Sequence, residues 1–278
     1  MARMKKSSPL GCLPIAAFLA YMLVPIFATY MFSVSTRWDR TVLPEGLTLE
    51  WYQATFADRW FGIVFRNSIV LSAGTVLAST IIIVPTAYWV HLRLPRGRVL
   101  MDLLSTLPFA IPTVVLALGL IRLYGEPPLA VARTPYMLIM AYVIYTLPFM
   151  YRPVANSLEA IDLRRLTEAA QSLGSSWRRT LGEVILPNIL PGILSGALLV
   201  FATVFAEFAL ATLLVGARYK TFPMQLVYYT RRDGRIASAY SVISFSVAWL
   251  LSMVILRIAT LATRGGNGRK AVVPSAHN

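Results

Sequence analysis

"LTEAAQSLGSSWRRTLGEVILPNILPGILSGALLVFATVFAEFALATLL", residues 166–214, changes character near its middle. Up to Glu183 it is polar and carries charges of both signs; from Val184 to Leu210 only Glu207 interrupts an apolar run. A bilayer core about 30 Å thick takes roughly 20 residues of helix, so the second half is long enough to cross a membrane. Further windows without Asp, Glu, Lys or Arg run from Ser7 to Thr36, Asn67 to Val90, Leu103 to Ile121, Thr134 to Tyr151 and Ile236 to Leu256. Hydrophobic residues make up 57% of the 278 positions and charged residues 14%, whereas soluble domains run near 45–50% and about 25%. The chain is built for lipid.

Inside lipid the backbone must satisfy its own hydrogen bonds, and no window alternates with the period of a barrel strand, so the spans are helices. The expected fold is an all-α polytopic membrane protein with six spans, at about 10–35, 63–90, 99–122, 134–152, 188–215 and 236–258. A short segment, 1–9, precedes this 10–262 membrane domain, a tail, 263–278, follows it, and a polar loop at about 156–187 joins the fourth and fifth spans. The first run stays uncharged to Thr36, longer than the roughly 7–15-residue core of a signal peptide, and is expected to remain as a span. Pro9-Leu10-Gly11-Cys12 has its apolar run on the wrong side of Cys12 for a lipoprotein cleavage site. Cys12 is the single cysteine, which excludes an intramolecular disulfide and a cysteine-rich metal cluster.

Six spans put both termini on one side. If that side is the cytoplasm, 15 of the 26 basic residues lie inside and 11 outside, a weak bias under the positive-inside rule. The last outer loop is the anomaly, with Arg218, Lys220, Arg231, Arg232 and Arg235. The net charge of +14 comes from residues at the ends of spans, without a stripe of interleaved stacking aromatics, which favours lipid head groups over nucleic acid. Trp38, Trp51, Tyr52, Trp60 and Phe61 suit a short helix in the head-group layer of the first outer segment.

In the polar half, Leu158, Ile161, Leu166, Ala169, Ala170 and Leu173 recur at helical spacing before Gly174, and Trp177, Leu181, Val184 and Ile185 after it. The pattern predicts a helix, a turn at Gly174 and a second helix capped by Ser175 or Ser176, with Pro187 and Pro191 where the fifth span starts. Arg164, Arg165, Arg178 and Arg179 would equally suit a helix pair lying on the inner leaflet.

Glu168-Ala169-Ala170, three residues, Gly174, nine residues, Val184, one residue and Leu186-Pro187 resembles the EAA loop of permease subunits of binding-protein-dependent ABC importers. The family usually has isoleucine where this chain has Val184. "WYQATF", "FRNSIV" and "LPNILPGILSGALLVF" resemble the same family, and the likeness extends from about residue 10 to residue 262. It implies an inner-membrane, multi-pass subunit of a bacterial cell with both termini cytoplasmic, whose loop docks into a groove on a separate ATPase. Glu168, Ala169, Ala170, Gly174, Trp177, Leu186 and Pro187 would carry that coupling, with Glu168 pairing a basic partner residue and Gly174 allowing close backbone approach. The implied partners are two cytoplasmic ATPase subunits, a second permease, an extracytoplasmic solute-binding protein and membrane lipid, with no nucleic acid. "FAEFALATLLVG" and "TFPMQLVYY" resemble the permeases for polyamines, iron chelates and phosphonates, implying a polyamine or similar small organic solute.

The chain has no G-x-x-x-x-G-K-[ST], His-x-x-x-His, cysteine pair or Gly-x-Ser-x-Gly, so neither ATP hydrolysis nor other bond-making chemistry, cofactor or metal is expected of it. Glu207 is the one ionisable group deep in an apolar window, where burial in lipid is costly. It is the candidate for the substrate path; the alternatives are a pair with Arg66 or Arg122, or a position near the outer interface. A carboxylate there favours a cationic solute, whereas the basic last outer loop favours an anion or an acidic partner face. Gly192 and Gly196 suit close helix packing, against this chain or a second permease. Pro85, Pro108, Pro112 and Pro148 are expected to bend their spans. An ion-coupled secondary transporter acting without an ATPase is the alternative function, disfavoured by the single embedded acid.

Overall fold

The computed structural model describes residues 9–39, 41 and 43–267. Arg3, Lys5, Lys6 and the tail from residue 268 lie outside them. The elements are helical: α1 (Pro9–Ser33), α2 (Glu50–Ala57), α3 (Phe61–Arg93), α4 (Pro95–Ala110), α5 (Thr113–Tyr124), α6 (Pro135–Tyr145), α7 (Leu147–Glu159), α8 (Leu163–Ser172), α9 (Trp177–Arg179), α10 (Leu186–Ala206), α11 (Ala209–Leu214), α12 (Phe222–Thr230) and α13 (Gly234–Asn267). A π-helical turn, Thr180–Ile185, joins α9 to α10, and a 3-10 turn, Gly216–Tyr219, follows α11. Four helical stretches are long and apolar enough to cross a membrane, and up to six if each bent pair is one span. The chain is an all-α polytopic membrane protein.

Proline decides where the bent pairs break. Between α4 and α5 the chain turns by 100°. Ile111 is extended at φ −97°, ψ 116°, as the residue before Pro112 should be, and Pro112 opens the next helix. α6 and α7 meet at 49° across Thr146, whose hydroxyl donates to the Tyr142 carbonyl at 2.7 Å, with Pro148 in the first turn of α7. Pro85 and Pro108 instead lie inside helices that continue past them.

The chain divides into two compact units. One contains residues up to Gly62 together with Gln225–Ser246. In it α1 is sheathed in exposed apolar side chains such as Leu13, Phe18, Tyr21 and Phe27, the surface a lipid-facing helix presents. Trp51 donates from its indole to the Ser35 carbonyl at 2.8 Å and the Tyr52 hydroxyl lies 2.7 Å from Ser33, so α2 is tied to the end of α1. Asp58 is the hub of this unit. One carboxylate oxygen accepts from the Trp60 amide; the other accepts from Gln225, Tyr229 and Tyr240 at 2.8, 3.1 and 2.9 Å. Two of the supposed loop cations are engaged here: Arg235 stacks over Trp51 and donates to the Thr36 carbonyl, and Arg232 lies over Tyr228. The segment that carries these cations is largely helical, as the 3-10 turn, α12 and the start of α13.

The other unit, Ile63–Met224 with the chain from Val247 on, holds a core that includes Leu71, Tyr88, Tyr142, Met150, Val154, Ile189, Val200 and Leu210. Within it α7 packs against α10. A Cβ on Gly192 would overlap the Ser157 hydroxyl and the Pro153 carbonyl; one on Gly196 would lie 2.9 Å from Met150 Sδ and 3.2 Å from its Cα. The small-residue motif therefore packs against this chain's own helix. Asn67 donates to the Lys220 carbonyl at 2.9 Å, and the Phe222 amide donates to Ser68 at 2.8 Å, pinning the segment after the 3-10 turn to α3.

Burial pushes the Asp58 carboxyl up, but hydrogen bonds from Trp60, Gln225, Tyr240 and Tyr229 outweigh it and hold it below the ordinary aspartate value. A depressed folded-state value contributes stability above the unfolded pKa and loses it as pH falls through the folded one. Thermal melting of the purified chain should therefore weaken below about pH 4, and the Asp58→Asn variant should lack that acid limb. An acid limb of equal size in both proteins would refute the assignment.

Candidate functional site

The polar stretch folds as an elbow. Asp162 starts α8, its carboxylate accepting from the Arg165 amide at 3.2 Å. Gly174 ends it at φ +79°, with the Gly174 amide bonded to the Gln171 carbonyl at 2.9 Å and the Ser175 amide to the Ala170 carbonyl at 3.0 Å. These two bonds and the left-handed residue form a Schellman turn. A Cβ at Gly174 would meet nothing within 4 Å in this chain, so within the chain the glycine serves the left-handed backbone of the turn. Ser176 occupies the cap position of α9, but its hydroxyl makes no capping bond.

The apolar face divides between two surfaces. Leu158, Leu163, Thr167 and Ala170 are buried within the chain, and Leu166 packs against the core. Glu168, Ala169 and Leu173 face outward, with Leu173 88% exposed at the tip. Glu168 pairs with Arg164 across one helical turn at 2.8 Å, and that hydrogen bond and charge raise the guanidinium's proton affinity further. Both side chains remain exposed, a weak surface pair that a partner can replace. Trp177 sits at the bend, its ring 6.2 Å from Trp89 at 80° and 6.3 Å from Tyr88, whose hydroxyl lies 3.3 Å from Thr167. Beside it Pro85, Thr86, Trp89, Arg93, Gln171 and Trp177 line an open groove of about 630 Å³. Elbow and α3 are thus in direct contact.

The elbow's second arm is not a separate helix, contrary to the sequence expectation of a boundary at Pro187. Trp177–Ala206 runs as one helix of 30 residues, about 45 Å long at 1.5 Å per residue. Pro187 lacks an N–H and its ring crowds the carbonyl four residues back. The chain widens there into the π turn, in which the Leu186 amide bonds to Leu181, five residues back. Leu186 and Pro187 lie exposed on this shaft just above the turn.

The fifth span stops at Ala206 and not near residue 215. Glu207 is extended at φ −75°, ψ 128° and restarts the chain as α11. Its carboxylate accepts from the amides of Leu210 at 2.8 Å and Ala211 at 3.2 Å and from the Tyr142 hydroxyl at 2.9 Å. Three donors occupy this buried acid, and none of the described ion pairs involves it, so the expected partners Arg66 and Arg122 do not supply its counter-charge. Sequence reasoning missed Tyr142, Asn67 and Ser68; each is a polar side chain in an apolar window, a faint signal of internal bonding.

Long apolar helices, a polar elbow continuous with one of them and a broken span define a membrane-embedded transport subunit. The family described as the binding-protein-dependent transport system inner membrane component matches residues 83–264, and the chain belongs to that family. A probable ABC transporter permease protein of Sinorhizobium fredii is 28% identical over 93% of this chain, which spans only 47% of that relative's length. A putative 2-aminoethylphosphonate transport system permease protein of Salmonella typhi is 25% identical over 90% of this chain and 94% of its own. The fold is shared with a crystal structure of a bacterial ABC transporter involved in the import of the acidic polysaccharide alginate, with a TM-score of 0.71 and 19% identity over 92% of this chain and 99% of that one. The chain is a multi-pass permease subunit of the ABC importer class.

Replacing Glu207 by alanine should strand the Tyr142 hydroxyl and two amides, at about 1–3 kcal/mol each when buried. Tyr142→Phe removes one bond and should cost about 1 kcal/mol. Melting of both variants in detergent checks the order; equal melting of Glu207→Ala and the unaltered chain would refute the capping role.

Proposed function

We propose that this chain forms half of the translocation pathway of an ATP-driven importer and that the elbow receives the force of a separate cytoplasmic ATPase. The observation that carries the reading is mechanical: the exposed tip at Ala169, Leu173 and Gly174 is joined to a helix that continues unbroken to Ala206. A push on the tip therefore tilts a span. Trp177, against Tyr88 and Trp89, passes the same motion to α3. Glu168, Ala169, Ala170, Gly174, Trp177, Leu186 and Pro187 are assigned to coupling, with Ala170 acting from inside the elbow, where it accepts the Schellman bond. Glu168 exchanges Arg164 for a basic residue of the partner.

Membership of the family supports a complex of two permeases, two ATPases and an extracytoplasmic binding protein, in a bacterial inner membrane with both termini cytoplasmic. The phosphonate relative supports a small organic solute, the class that also contains polyamines. Glu207 stands beside the pathway, shaping it through the break it caps. Its engaged carboxylate weighs against an ion-coupled carrier.

Affinity purification of the chain in mild detergent should bring down an ATPase and a second permease; a lone chain that transports in proteoliposomes would overturn the reading. Glu168→Ala and Gly174→Val should each lower uptake by at least about tenfold, the loss expected when a charge pair or a docking turn at an interface is broken. Membrane levels should stay unchanged. Normal ATP-dependent uptake by both variants would refute the coupling role.

A further inference from the structure

A second candidate site lies far along the chain from the elbow and is independent of it. Arg122 in the last turn of α5, Arg133 just before α6 and Arg218 in the 3-10 turn after α11 line one cavity of about 390 Å³. Glu126 is the one carboxylate on its wall. Three guanidiniums against one carboxylate leave two uncompensated positive charges, and none of the described ion pairs joins any of the four. All four side chains belong to exposed residues, so water-borne ions reach them.

The wall is preorganised. The loop between α5 and α6 closes on itself through the Ala130 amide bonded to the Glu126 carbonyl and the Ala132 amide bonded to the Tyr124 carbonyl, both at 3.0 Å. Ala130 is the one non-glycine residue with positive φ, at 42°, among the described residues. Ala132 is buried at 1% exposure next to Arg133. Three separate segments therefore deliver cations to one pocket on a fixed backbone. Like charges repel at such a point unless an anion joins them, and planar guanidiniums match phosphate, phosphonate and carboxylate oxygens in two-point contacts.

We propose that this pocket is a binding site for a small soluble oxyanion of the phosphate or phosphonate type, held by Arg122, Arg133 and Arg218, with Glu126 as the residue that limits its affinity. It resolves the conflict between the acid of the fifth span and the basic outer segment. Glu207 is engaged by three of the chain's own donors, whereas the three arginines face an open cavity, so the ligand-directed charge is the arginine pocket. The site needs no ATPase and stands or falls separately from the coupling role of the elbow.

The full chain, purified in an uncharged detergent at low ionic strength, is titrated with inorganic phosphate by calorimetry. One saturable site is expected, weakened by added salt. Arg133→Gln and Arg218→Gln should each weaken it at least about tenfold, as removal of a charge-assisted hydrogen bond does, and Glu126→Gln should tighten it. Melting temperatures without phosphate should match the unaltered chain, which separates lost binding from lost fold. No saturable binding, or binding indifferent to all three changes, overturns the proposal. In nanodiscs, phosphate should bind equally with and without phosphatidylglycerol; abolition by that lipid would assign the pocket to a head group and overturn the soluble ligand.

Discussion

Lipid supplies no hydrogen bonds, and that constraint governs how the fifth span can break. The fifth span breaks at Glu207 only because one carboxylate replaces the bonds the break gives up. Its two oxygens take up the Leu210 and Ala211 amides at the start of α11, and the Tyr142 hydroxyl fixes the carboxylate against α6. The same logic recurs nearby, where Asn67 and Ser68 of α3 bond to the backbone around the 3-10 turn and α12. Polar side chains inside apolar windows here serve the backbone before they serve any solute.

Close packing transmits what the backbone organises. Gly192 and Gly196 bring α10 against α7 until no Cβ would fit, so a movement of one helix carries the other. α7 leads into the elbow and α10 leads out of it through the π turn. The elbow is therefore clamped at its base and free at its tip. The docking role proposed for the elbow needs both properties, and the buried Leu158, Leu163 and Ala170 lie beneath the exposed Leu173.

The matched permease and the solved transporter of the same fold carry different solutes in their names, an aminoethylphosphonate and an acidic polysaccharide. What this chain shares with that transporter is the fold, over 92% of its length. In this chain the segments after α5 and α11 bring Arg122, Arg133 and Arg218 to one cavity.

The sequence by itself determined the class and the turn at Gly174, because membrane-length apolar runs, helical periodicity and a glycine in a polar stretch are local constraints. Pro112 and Pro148 marked real breaks for the same reason. Tertiary structure decided the rest. Whether Pro187 ended a helix or widened one, whether Gly192 and Gly196 faced this chain, and which donors met Glu207 all depend on residues distant in sequence. Tyr142 is 65 positions from Glu207 and Arg218 is 96 positions from Arg122. Only packing could bring either pair together, since the energy that places a side chain in a core or a pocket is set by its neighbours in space.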